Sequence, residues 1–257
     1  MQATNKKGNA GDRIDIEEQS ARIELARRER RPSLLTRLSS SQGSMLILDQ
    51  AAISISSFLS MVLVGRFGGE TELGTYSLAF VTLWFSASIP NSLVWVQFAI
   101  RSARLKGMAA LRHERAAAWH VIVFSALMAV PVLAVVWTVP NRSVAMFTAM
   151  ISYISGMLIR EHFRRVLMSK KDMRTLLWSD MLSSTLQVLA LLWLAGLGHL
   201  GATTGLFVNG LFAVVPSLFL MAKLNIIKVS VRTVWIDFLR NWGTGKWLAG
   251  ASLVGDA

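Results

Sequence analysis

The chain has 257 residues, 53% of them hydrophobic, a mean hydropathy of +0.47 and a formal net charge of +12. That hydropathy lies well above a typical soluble domain, and the absence of cysteine rules out disulfides and thiolate metal sites. The basic excess points away from nucleic acid, because it is gathered into blocks that alternate with long apolar stretches.

Residues 1–44 are polar and of mixed charge, which predicts no signal peptide and leaves insertion to the first apolar stretch. Within them 1–13 read as disordered, and Ile14–Leu38 is helix-friendly, with a run of Arg27, Arg28, Arg30 and Arg31 that stops at Pro32. This tail is either an interfacial helix on anionic lipid or a solvated segment that carries orientation charge.

Six apolar stretches follow, at 45–65, 74–99, 119–139, 143–159, 176–197 and 202–222. Each approaches the ~20 residues that cross hydrocarbon as a helix, the one spanning element that satisfies its own backbone hydrogen bonds segment by segment. The expected fold class is all-α: a six-helix transmembrane bundle. A linker at 223–245 leads to the start of a seventh helix at Lys246, and the chain reaches Ala257 before that helix is long enough to cross.

Of the 27 Lys and Arg, 9 lie in 1–44, 5 in 101–118, 6 in 160–174 and 5 in 223–246, leaving Arg66 and Arg142 for the opposite connectors. The positive-inside rule then predicts that all four basic regions, both chain ends included, are cytoplasmic. The opposite connectors are short: Phe67–Leu73 with Glu70 and Glu72, Pro140–Arg142, and Gly198–Gly201. Trp95, Trp119, Trp137, Trp178 and Trp247 near span ends suit an aromatic belt, whereas Trp84 is deeper and is expected to pack inside the bundle.

Polar groups inside spans are costly and usually face the bundle interior. At 100° per residue, Asp49, Gln50, Ser54, Ser56, Ser57 and Ser60 share an arc of roughly 160° on the first span. On the fifth, Asp180, Ser183, Ser184 and Gln187 share about 100°, continued by Leu191 and Leu194. The second carries Pro90, Asn91 and Gln97, and Pro90 is expected to break a ladder bond as in discontinuous transporter helices. Asp49, Gln50, Asn91, Gln97, Asp180 and Gln187 thus fall in one half of the bundle, where they line a polar vestibule or hold helices together.

Gly196-Leu-Gly198-His-Leu-Gly201 matches a dinucleotide fingerprint in letters, but no strand precedes it and it joins two spans, so it reads as a turn. The four His lack metal-ligand spacing, no catalytic constellation stands out, and no cofactor is expected. Asn141-Arg-Ser143 fits a glycosylation acceptor too close to the membrane to carry weight.

Leu48-Asp-Gln-Ala51, followed by Gly65-Arg-Phe-Gly68-Gly-Glu-Thr-Glu-Leu-Gly74-Thr-Tyr-Ser-Leu-Ala79, resembles the polysaccharide and O-antigen flippases of the multidrug/oligosaccharidyl-lipid/polysaccharide exporter superfamily. Arg160-Glu-His-Phe-Arg-Arg-Val-Leu167, with Arg174 and Asp180 beyond, is similar to that family's link between its fourth and fifth helices. Trp242-Gly-Thr-Gly-Lys-Trp-Leu248 is similar to the opening of its seventh. The resemblance covers 45–257, the first half of such a transporter. It implies a bacterial inner-membrane protein, one of two six-helix bundles that face a central cavity and export lipid-linked sugar by alternating access. The missing half would be a second lobe or a homodimer partner, and polysaccharide-assembly proteins are further partners. The lipid phosphates would meet Arg101, Arg104, Arg164 or Arg165 at the cytoplasmic rim, where guanidinium forks bind oxyanions. Three alternatives stay open: a cation-coupled drug exporter that uses Asp49 or Asp180, a scaffold that recruits partners through its basic tail, and a membrane enzyme.

Overall fold

Backbone groups in lipid need partners within their own segment, and helix is the only regular structure among the residues that the computed structural model describes, 41–138, 143–224 and 228–255. The chain divides into two units, Met1–Met45 and Leu46–Ala257. Of the first, residues 41–45 are described and are helical; the predicted tail helix and the connector Pro140–Arg142 lie outside the described residues. The helices are α1 (Ser41–Gly68), α2 (Glu70–Pro90), α3 (Val96–Ser102), α4 (Gly107–Leu127), α5 (Ala129–Thr138), α6 (Val144–Ser169), α7 (Met173–Gly196), α8 (Ala202–Leu224) and α9 (Val231–Gly255).

Among the described residues six helical segments are long and apolar enough to cross a membrane: Gly43–Gly68, Glu70–Ser102, Gly107–Thr138, Val144–Ser169, Met173–Gly196 and Ala202–Ala222. The chain is therefore an all-α, multi-pass membrane protein. Three spans outrun the sequence prediction because their polar ends stay helical past the apolar run. The second begins at Glu70, the third begins at Gly107, and the fourth continues to Ser169.

The local signals are conventional. Gly69 turns between α1 and α2 at φ 89°, a left-handed value that glycine adopts without strain. Ser143 caps α6 by accepting from the Met146 N–H, and Asp172 caps α7 by accepting from the Thr175 N–H. Gly198, at φ 70°, turns the chain between α7 and α8, so the fingerprint look-alike is a turn.

Pro90 does not interrupt the second span. The chain passes from α2 into α3 through a π-helical turn, Asn91–Trp95, in which the Val96 N–H reaches back to the Asn91 carbonyl. Proline cannot donate to the Ser86 carbonyl, and the helix continues past that lost bond, with the Asn91 N–H reaching the Ala87 and Ser88 carbonyls and a wide turn just beyond. Trp84 is 68% exposed and edge-on to Phe80, contrary to the expectation that it packs inside. The inner face of α2 is already filled by Tyr76, Ala79, Leu83 and Ser86, and lipid accepts an indole as readily as a core does.

The predicted linker 223–245 is also revised: α9 is one continuous helix that starts at Val231. Its packed stripe is Asp237, Asn241 and Gly245, while Trp235, Phe238 and Trp242 stack at helical spacing beside it. A Cβ on Gly245 would sit 2.9 Å from the Leu93 side chain and 3.2 Å from the Ser92 carbonyl, so α9 lies directly on the π turn.

The closest helix crossing is α6 on α8. A Cβ on Gly156 would fall 2.5 Å from the Gly210 carbonyl oxygen, and one on Gly210 would fall 2.5 Å from the Ser152 carbonyl carbon. Small residues let backbones meet at such crossings, which replaces the hydrophobic drive that lipid does not provide. Gly156→Ala is expected to lower stability by about 1–3 kcal/mol through overpacking. Gly74→Ala, whose Cβ meets nothing within 4 Å, is expected to be neutral or stabilising by up to ~1 kcal/mol. Thermal unfolding of the two variants in the same detergent checks the pair.

Candidate functional site

Asp180, about two turns into α7 at the start of its polar face, is buried to 1% exposure, as is Asp49 on α1. Both carboxylates are met from α6. Arg160 Nε donates to Asp180 Oδ1 at 2.9 Å, and Arg164 Nε donates to Asp180 Oδ2 at 2.8 Å. Arg164 Nη2 then donates to Asp49 Oδ2 at 2.6 Å, so one guanidinium bridges the two aspartates. Glu161 completes the cluster by accepting from Arg164 Nη1 at 3.1 Å and from Arg165 Nε at 2.8 Å. The Arg165 guanidinium lies 4.6 Å from the centroid of Trp95, which is buried rather than placed in a belt. Three guanidinium groups face three carboxylates, so this cluster balances its own charge.

Outward along α1 and α7 the contacts become neutral. The Ser56 hydroxyl donates to Ser184 Oγ at 3.3 Å, and Gln187 Nε2 donates to Ser60 Oγ at 2.9 Å. Asn209 Nδ2 on α8 donates to the Tyr76 hydroxyl on α2. Between these groups lies a pocket of about 170 Å³, lined on its polar side by Ser56, Ser57, Tyr76, Gln187, Asn209 and Arg160.

The predicted residues divide accordingly. Gln187 lines the pocket, whereas Asp49 and Asp180 sit in the ion cluster below it. Gln50 and Ser54 are exposed, because the packed face of α1 follows 49, 56, 60 and 64, and they lie roughly 100–140° around the helix from Asp49. Asn91 is half-buried on the π turn and Gln97 is buried in α3, and neither lines the pocket. Among the rim arginines, Arg164 and Arg165 belong to the ion cluster, and Arg101 donates to Asp237 at 3.1 Å. Arg104 is exposed. The sequence reading missed Arg160, Glu161, Tyr76 and Asn209 as members of the site. The i, i+4 spacing of Arg160 and Arg164 was the usable signal, since it puts both on one helical face.

A second cluster joins α3, α4 and α9. Asp237 Oδ1 meets Arg101 Nη1 at 3.1 Å and His113 Nδ1 at 3.2 Å, and His120 Nε2 lies 3.0 Å from the Val234 carbonyl. Burial pushes the Asp237 carboxyl upward, but the His113 hydrogen bond and the charges of His113, His120 and Arg101 outweigh it and hold it below 3.8.

Two outcomes follow from these clusters. Arg164→Gln strips Asp49 of its guanidinium and Asp180 of one of two, and is expected to cost about 3–5 kcal/mol. Asp49→Asn added to it should cost less than the sum of the two single changes, by about 0.5–3 kcal/mol, in a double-mutant cycle of detergent unfolding. The depressed Asp237 carboxyl stabilises the fold above its ordinary value of 3.8, and that contribution is lost as pH falls from there through the lower folded value. Acid titration of α9 tryptophan fluorescence should therefore show a transition below that value which Asp237→Asn removes.

Comparison of the chain with protein-family models, with curated proteins and with solved structures gave no match.

Proposed function

We propose that the chain is one lobe of a transporter that flips lipid-linked oligosaccharide or polysaccharide precursors across a bacterial inner membrane by alternating access, without changing a covalent bond. The observation that carries this reading is the interior pocket, where hydroxyl, amide and guanidinium groups from α1, α2, α6, α7 and α8 converge inside the bundle. Sugars are recognised by such hydrogen-bonding groups, and polar side chains at membrane depth usually mark a pathway. At about 170 Å³ the pocket is smaller than the usual ~300–1,000 Å³ ligand site. In this reading the bundle supplies one wall, and a second lobe or a second copy supplies the other. The positive-inside rule puts the basic end, with the ion cluster, in the cytoplasm.

A second reading, cation-coupled export, is favoured by one observation: Asp49 Oδ1 is buried without a hydrogen-bond partner among the described residues. A carboxylate oxygen so placed can take a proton or a small cation. The two readings part in everted membrane vesicles supplied with a fluorescent lipid-linked oligosaccharide. The flippase reading expects Ser57→Trp, which fills the pocket, and Gln187→Leu to slow sugar translocation about tenfold or more. Export of a cationic dye that collapses in Asp49→Asn and returns in Asp49→Glu would select the second reading. Sugar translocation that is unchanged by Ser57→Trp would remove the pocket from any pathway.

A further inference from the structure

The connector between the second and third spans and the first turns of α9 enclose a cleft of about 480 Å³ that shares no lining residue with the interior pocket. Four arginines line it, Arg101, Arg104, Arg112 and Arg240, with His113 and one carboxylate, Asp237. Asp237 is already engaged by Arg101 and His113. Arg104, Arg112 and Arg240 are exposed and form no ion pair among the described residues. The cleft therefore differs from the ion cluster in its charge balance: four guanidinium groups face one carboxylate, and a concave basic surface focuses potential on an anion. His113, which is buried to 5% exposure, also keeps Nε2 without a hydrogen-bond partner among the described residues.

The surroundings narrow the ligand. Ser102 and Gly107 bound two membrane spans, so the cleft lies at headgroup level. Ile100, Met108 and Leu239 flank it in sequence and are each at least half exposed, which offers acyl chains an apolar border. Guanidinium forks match carboxylate and phosphate alike, and several of them, from α3, α4, α9 and the turn at Arg104, ask for the larger number of acceptor oxygens that a phosphate offers.

We propose that this cleft is a phosphate-binding site and that it holds the headgroup of an anionic phospholipid, pinning α9 to the α3–α4 corner. The site stands whether or not the bundle transports sugar, because its test reads binding alone.

The detergent-solubilised full chain is titrated with short-chain phosphatidylglycerol, with short-chain phosphatidylcholine and with inorganic phosphate. Native mass spectrometry counts the bound lipid, and the thermal midpoint follows each probe. Phosphatidylglycerol is expected to bind in preference to phosphatidylcholine and to raise the midpoint. Arg104→Gln, Arg112→Gln and Arg240→Gln combined should weaken that binding about a hundredfold, while Lys171→Gln, Arg174→Gln and Lys228→Gln, which remove equal charge outside the cleft, should leave it intact. Each cleft arginine changed singly should cost about fivefold, so the test survives if the triple variant does not fold. Equal losses in the two triple variants would reduce the effect to surface charge and overturn the site. Inorganic phosphate that binds as tightly as the lipid and is lost in the cleft variants would keep the phosphate site and overturn its lipid occupant. Binding of neither probe overturns both.

Discussion

A carboxylate held in a membrane bundle must be matched by a cation, and Asp180 is where this molecule does so. Arg160 and Arg164 stand one turn apart on α6 and take its two oxygens, which fixes the rotation of α6 about its own axis. The same stripe carried back four residues reaches Gly156, where α6 meets the backbone of α8. Arg164 continues past Asp180 to Asp49 and so sets the register of α1 as well. Three helices are thus located by one aspartate and the guanidinium groups around it, and α8 by the same stripe of α6 at Gly156.

The opposite end of the bundle has its own clamp. Glu72, in the first turn of α2, accepts from the Ala202 N–H and so caps the start of α8, where a carboxylate complements the helix dipole. Deeper in, Asn209 and Tyr76 join the same two helices. The interior pocket lies between this α2–α8 clamp and the α1–α6–α7 clamp. Its position follows from having two separate anchors rather than from a gap in packing.

How much of this the sequence disclosed depended on contrast with the local background. The six spans were legible because apolar runs of that length have few other uses, and Asp49 and Asp180 were legible because they interrupt such runs. Their partners were not. Arg160 and Arg164 sit where composition turns basic, so they read as a connector, although α6 continues unbroken to Ser169. Tyr76 and Asn209 are single polar side chains in apolar helices and carry no periodic signal. The helix from Val231 was hidden by Gly243 and Gly245, whose low helical propensity is overridden by the fit of Gly245 against the π turn.

The rim arginines show why charge counts alone mislead. Arg101, Arg104, Arg164 and Arg165 looked equivalent in sequence, but three of them already have carboxylates at 3.1 Å or less. Arg164 so engaged serves architecture, because releasing it strips the buried Asp49 and Asp180 of a counter-charge. The Asp49–Arg164 contact, at 2.6 Å and with Asp49 almost fully buried, is especially costly to part. Any motion that widens the interior pocket is therefore constrained to carry α1, α6 and α7 together. The neutral contact between Tyr76 and Asn209, which joins α2 to α8, costs less to break than the charged ones that join α1, α6 and α7.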